Sequence, residues 1–291
     1  MSDTPTLGFI GLGVMGHGMC ANAIRKHGAK VHVFDMMPEA VQAMVDVGGV
    51  AAASVEDVAK AATIIFLSLP GGKQVASVCE TIAAHAAPGT VVVDLSTTAV
   101  ADARSVAAAL ASKNMRFADA PVARTRQAAI DGTLSIMVGA PDDLFSVVEP
   151  LLGYMATDVT HCGDVGCGQV VKLINNTLLF EQVAAIAEMM VVAERAGVTP
   201  ERLIQAVGLG SGNSFALQNH AKKAMAPRDF PEKAFPSNYV IKDLGYTIEL
   251  AEQMGVDPKV ARLAGTYYEA AVEKGIGQKY FPGIIELIDP R

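Results

Sequence analysis

Leu7-Gly-Phe-Ile-Gly11-Leu-Gly13-Val-Met-Gly16 is the stretch that decides the fold. A short apolar strand runs straight into G-x-G-x-x-G, and residues 15–27 continue with helical patterning. Gly11 permits a tight turn, Gly13 lets the backbone approach a pyrophosphate, and Gly16 lets the helix pack closely on the strand. The helix N-terminus then offers its free N–H groups to the phosphates. Residues 30–34 read as the next strand, and Asp35 ends it nineteen residues after Gly16. A carboxylate there accepts hydrogen bonds from the adenosine ribose hydroxyls and repels a 2′-phosphate. Met36 and Met37 follow it rather than an Arg, so NAD is expected over NADP. The plainer alternative for Asp35 is a cap on the helix that opens near Pro38.

Working outward, residues 63–69 and 91–94 are apolar runs without polar alternation, as expected for strands covered on both faces. Helices are expected at 74–84 and 101–111, and short strands at 116–118 and 135–138. This alternation predicts a doubly wound parallel sheet. After about Gly166 the strand signal stops. Residues 169–196 hold no Pro or Gly and are apolar around most of the circumference, which predicts one long helix buried between domains or subunits. Further helices are expected at 200–207, 215–226, 238–254, 258–274 and 284–288. The fold class is therefore α/β, with a Rossmann dinucleotide-binding domain over 1–165. An all-helical domain that includes the long linking helix covers 166–291.

Bulk composition agrees. The 291 residues are 51% hydrophobic and carry a net charge of -7, which argues against nonspecific nucleic-acid binding. Four scattered cysteines suggest no disulfide framework, and the first residues lack the parts of a signal peptide. A cytoplasmic, reducing compartment is the default. The most apolar run, residues 177–193, is interrupted by Glu181 and Glu188, so no membrane span is expected.

The second informative motif is Gly163-Asp-Val-Gly166-Cys-Gly168-Gln-Val-Val-Lys172-Leu-Ile-Asn175-Asn176. A Gly-rich loop opens the long helix, and Lys172 and Asn176 share one helix face. An ammonium among Val170, Val171, Leu173 and Ile174 is partly desolvated and gives up its proton more readily. Hydride transfer needs a partner that exchanges the hydroxyl proton, and Lys172 can supply it, with Asn176 holding the hydroxyl or the lysine. On these residues alone, a snorkelling surface lysine beside a helix-face amide stays open.

The chain resembles the β-hydroxyacid dehydrogenase family. The resemblance rests on residues 8–16, Asp94-Leu-Ser-Thr-Thr98, Asp119-Ala-Pro-Val122, Gly132-Thr-Leu-Ser-Ile-Met-Val-Gly139, residues 166–176 and Lys242-Asp-Leu-Gly245, in the family's order. It implies that Lys172 is the catalytic acid/base and Asn176 its partner. It implies that Ser96, Thr125 and Asn175 contact substrate and that Lys242 lines the site. It implies a cofactor set of Gly11, Gly13, Val14, Met15, Gly16, Asp35, Leu69, Pro70, Thr97 and Lys242. It also implies a homodimer or homotetramer. Nicotinamide is expected to face Lys172 in the cleft between the domains. One departure stands out: Pro121-Val is followed by Ala123-Arg124-Thr125-Arg126 where most of the family has Ser-Gly-Gly. This is similar to the sulfolactaldehyde reductase branch, and a guanidinium suits a sulfonate, a phosphate or a second carboxylate. The flanking Ala123 and Arg126 differ from that branch, as does Leu179. Arg124 is expected to bind the anionic end of the substrate; the alternative is an Arg that tethers the domain to its neighbour helix.

The expected activity is NAD-dependent hydride transfer on a small 3-hydroxy acid or its semialdehyde, with a sulfonate such as sulfolactaldehyde or dihydroxypropanesulfonate among the candidates. The alternative is a 3-hydroxyisobutyrate or tartronate semialdehyde type of dehydrogenase. Two rivals, an imine reductase and a non-catalytic NAD-binding module, are both argued against by Lys172. His161, Cys162, Asp164 and Cys167 match no usual zinc spacing, so no metal is expected. None of the six histidines sits in a recognisable His–Asp setting of the lactate-dehydrogenase kind.

Overall fold

The structure, a computed structural model, describes residues 4–232 and 234–290. The chain divides into two compact units, one running through Lys172 and the other starting at Leu173.

In the first unit, strand β1 (Leu7–Ile10) leads into helix α1 (Gly16–His27), then β2 (Val31–Phe34) and α2 (Pro38–Val45). There follow β3 (Val50–Ala51), α3 (Val55–Ala61), β4 (Ile64–Leu67), α4 (Gly72–His85), β5 (Val91–Asp94), α5 (Val100–Ala111) and β6 (Arg116–Asp119). These six strands are parallel and lie in the order β3-β2-β1-β4-β5-β6, the doubly wound order of dinucleotide-binding domains. Every residue of β1, β4 and β5 is buried, which is why their sequences show no alternation.

The sheet continues with β7 (Val122–Ala123), α6 (Arg126–Asp131), β8 (Leu134–Gly139), α7 (Asp142–Leu152) and β9 (Ala156–Gly163). β8 runs antiparallel to β7 and to the end of β6, where Asp119 faces Gly139, and parallel to β9. The sequence reading missed β3, α3, β7, α6, α7 and β9. Two of these helices do carry a local signature: Ser54 caps α3 by accepting from Asp57 N, and Thr125 caps α6 by accepting from Ala128 N. β9 is an edge strand with little buried surface, so its hydrophobic pattern is weak.

Helix α8 (Cys167–Arg195) has 29 residues and begins two residues earlier than expected. Its length and composition alone would let it cross a membrane. However, Phe180, Val183, Ala187, Met190 and Val191 are buried in the core of the second unit. That unit adds α9 (Pro200–Gly208), a π-helix (Ala216–Met225), α10 (Ser237–Gln253), α11 (Lys259–Glu273), a 3-10 turn (Phe281–Ile284) and α12 (Ile285–Ile288). The expected α-helix at 215–226 is thus wound with i→i+5 bonds, Ala226 N reaching Ala221 O at 2.8 Å.

His220 lies on that π-helix, buried against Phe215, Tyr280 and Phe281. Its Nδ1 is 2.6 Å from the Tyr280 hydroxyl, and its Nε2 has no partner among the described residues. Burial, with a smaller push from Lys223, lowers its pKa from the ordinary 6.5 to about 4. The unfolded chain therefore takes up a proton first, and stability falls as pH drops from about 6.5 to about 4. The full effect is on the order of 3 kcal/mol. Urea unfolding of wild type and His220→Gln at pH 7 and 4.5 should show a shallower acid loss in the variant. Equal losses would refute this account.

Candidate active site

The first unit builds a dinucleotide cradle. Gly11 follows β1 with φ +96, a backbone state that L side chains rarely adopt, and a Cβ there would lie 2.2 Å from Ser68 O. A Cβ on Gly16 would lie 2.1 Å from Gly11 O, so the helix closes directly on the turn. Gly13 is the opposite case: a Cβ on it would meet nothing within 4 Å, so its backbone faces open space. Val14 is exposed and Met15 half-buried beside it. α1 opens with no side-chain cap and no acidic residue in its first turn, which leaves N–H groups for an anion. Asp35, just past β2, accepts from Leu12 N at 2.6 Å and from Met37 N at 2.9 Å. Its carboxylate is thereby tied to the glycine loop. These residues fit NAD: a turn no side chain fills, an uncapped helix end and a carboxylate at the ribose position.

The ends of β4 and β5 meet beside this cradle. Leu69 N donates to Ser96 Oγ at 2.9 Å, and Ser96 N donates to Asp94 Oδ1 at 3.0 Å. Ser96 is buried, Thr97 half-buried and Pro70 exposed. Strand carboxyl ends are where such sheets bind ligands.

Lys172, 8% exposed, sits in the second turn of α8. Two polar residues to which the sequence reading gave no role hold the start of this helix. Asp119, at the end of β6, accepts from Gly166 N at 2.6 Å and from Gln169 N at 2.8 Å. Burial pushes its carboxyl up to about 6, while the backbone N–H groups of Gly166, Gln169 and Gly168 pull the other way. At neutral pH it is therefore charged and faces the positive end of α8. Gln169, fully buried, accepts from Thr98 N at 3.1 Å and donates to Ser96 O at 2.8 Å.

Arg124 makes its hydrogen bonds within the first unit. Its backbone has φ 84. Its guanidinium donates to Thr133 O at 2.6 Å, Thr157 Oγ1 at 2.9 Å and Asp158 Oδ2 at 2.6 Å. Thr157 and Arg124 together hold the Asp158 carboxyl below its usual range. The side chain thus ties the β7–α6 corner to β9. Thr125 spends its hydroxyl as the cap of α6. His161 stacks on Phe145 and bonds to Ala140 O.

In the second unit, Asp243 of α10 is the organiser. Asn176 Nδ2 donates to its Oδ2 at 2.8 Å, and Lys242 Nζ lies 3.2 Å from its Oδ1. Lys242 also lies over the Tyr246 ring at 5.3 Å. Asn175 is exposed and donates to Asn176 Oδ1 at 3.2 Å. Asp243 gave no signal of its own beyond adjacency to Lys242.

A parallel sheet in this order, with an open glycine turn at its centre, is the architecture of a dinucleotide-binding domain. A family model for the NAD-binding domain of 6-phosphogluconate dehydrogenase matches residues 6–163. One for the NAD-binding domain of NADP-dependent 3-hydroxyisobutyrate dehydrogenase matches residues 166–288. The 2-(hydroxymethyl)glutarate dehydrogenase of Eubacterium barkeri is 33% identical, over 99% of this chain and 96% of its own. The NAD-dependent L-serine dehydrogenase of Pseudomonas aeruginosa is 32% identical, over 98% of both. Among solved structures, Mycobacterium tuberculosis 3-hydroxyisobutyrate dehydrogenase with L-serine superposes with a TM-score of 0.91 at 30% identity, covering 98% of this chain and 99% of that one. The chain belongs to the β-hydroxyacid dehydrogenase family, whose members are NAD(P)-dependent hydroxy-acid dehydrogenases.

Proposed function

We propose that the protein oxidises the primary alcohol of a 2-substituted 3-hydroxypropanoate, or reduces the matching semialdehyde, with NAD. The observation that carries this reading is the buried lysine in the second turn of α8, whose first turn is bonded to the Ser96–Thr98 loop. The relatives add the chemical class. 2-(Hydroxymethyl)glutarate, L-serine and 3-hydroxyisobutyrate all contain HOCH2–CH(R)–COO−, and only R differs.

Bound NAD would supply a hydride acceptor for the alcohol carbon, and its reduced form, NADH, a hydride donor for the aldehyde. The Lys172 amine takes the hydroxyl proton in oxidation, and its ammonium returns it in reduction. Asn176, four positions on along α8 and fixed by Asp243, holds the lysine or the hydroxyl through its amide. Ser96 binds the substrate carboxylate with its hydroxyl hydrogen, since its oxygen already accepts from Leu69 N. A carboxylate is favoured over a sulfonate because the Arg124 charge is already matched by Asp158. The protein works in the cytoplasm as a homodimer or homotetramer.

A panel of L-serine, 3-hydroxyisobutyrate, 2-(hydroxymethyl)glutarate and dihydroxypropanesulfonate with NAD, followed by reduced-nicotinamide absorbance, tests the reading. Turnover on at least one carboxylate and none on the sulfonate is expected. Silence on every carboxylate overturns the proposal.

A further inference from the structure

The polar residues at the start of α8 do more than fill a core. Asp119 and Gln169 are both completely buried, and each bonds across elements that are distant in sequence. Asp119 ends β6 and receives the N–H groups of Gly166 and Gln169, at 2.6 and 2.8 Å. Gln169 turns its amide the other way, to the backbone of Ser96 and Thr98. One bond uses its oxygen and the other its nitrogen, so the amide orientation is set. The contact surface around the carboxylate leaves no slack. A Cβ on Gly139 would lie 2.4 Å from Asp119 Oδ1, and one on Gly168 would lie 2.8 Å from Asp119 Oδ2. The helix turn can neither slide along β6 nor rotate about its own axis without breaking charged or buried hydrogen bonds.

We infer that Asp119 and Gln169 are positioning residues that clasp the first turn of α8 to the loop after β5 and so hold Lys172 in register with Ser96. Neither touches substrate. The inference rests on the roles proposed above for Lys172 and Ser96. It adds that their relative placement is built in by two other side chains, one fixing the helix end and the other fixing the loop.

A purely structural role would lower stability and leave turnover per folded molecule intact, so kinetics decide. Gln169→Leu removes both loop bonds at similar volume, and Asp119→Asn removes the charge at the helix end at nearly constant shape. Either variant that folds serves. In each, kcat is expected to fall about 10-fold, a tenth of what an ångström of misplacement can cost. In Asp119→Asn the KM for NAD should stay within about two-fold, because neither the glycine loop nor the loop that carries Thr97 loses a bond. The amide of Thr98 should exchange with deuterium faster in Gln169→Leu. In a Lys172→Ala background the same substitutions should cost little more, because the group they place is gone.

An unchanged kcat in both single variants overturns the clasp. So does an equal fall in the presence and absence of Lys172. These failures differ from failure of the proposed function, which would appear as a wild-type rate in Lys172→Ala alone and would remove the clasp's target with it.

Discussion

Lys172→Ala should lower kcat by about 10²–10⁴-fold, the range that a positioned general acid or base contributes. The expectation follows from where the side chain stands. α8 carries it in its second turn, 8% exposed, directly after a first turn locked by Asp119 and Gln169. Alanine is a strong helix former, so the helix itself should survive. The glycine loop and Asp35 are untouched, so the KM for NAD should hold. Steady-state kinetics on the best substrate of the panel measure the loss. Added methylamine, a free amine able to occupy the space left by the side chain, should restore part of the rate. A variant with wild-type turnover would remove Lys172 from the chemistry.

Asp35→Ala should raise the KM for NAD by about 10–100-fold, since hydrogen bonds to a charged group are worth about 1.5–3 kcal/mol. It should also narrow or reverse the preference against NADP, because a carboxylate at the end of β2 repels a 2′-phosphate. Part of the loss would come through the loop, as Asp35 also accepts from Leu12 N and Met37 N. Asp35→Asn separates the two contributions. It keeps an acceptor for the loop and drops the charge, so NADP should gain while NAD loses less than in the alanine variant. Wild-type enzyme that turns over NADP as well as NAD in paired assays would refute the assignment.

The parts of this architecture that announce themselves locally are legible in the sequence. β1 with its glycine turn, the unalternating β4 and β5, and α8, free of Gly and Pro after Gly168, all owe their pattern to neighbours a few residues away. Most elements that escape are short or exposed: β3 has two residues, and β9 hides little of its surface; α7 is the exception, a longer helix whose pattern is broken by Pro150. Only the caps Ser54 and Thr125 mark α3 and α6 locally. The organising residues escape for another reason. Gln169 meets Ser96 across 73 positions, and Asn176 meets Asp243 across 67. No periodicity carries such pairings. Arg124 illustrates the converse, a residue whose type suggests a ligand while three of its donors bond to Thr133, Thr157 and Asp158, none of which the sequence pattern points to.

The two glycines that flank the Asp119 carboxylate set a boundary on how this chain can change. Neither Gly139 nor Gly168 can accept even a methyl group without driving it into an oxygen or a backbone atom. Substitution at either place would be felt at the lysine, although neither residue reacts with anything. Any larger residue there demands a simultaneous shift of the carboxylate or of the backbone it meets, so this narrow seam admits no gradual path.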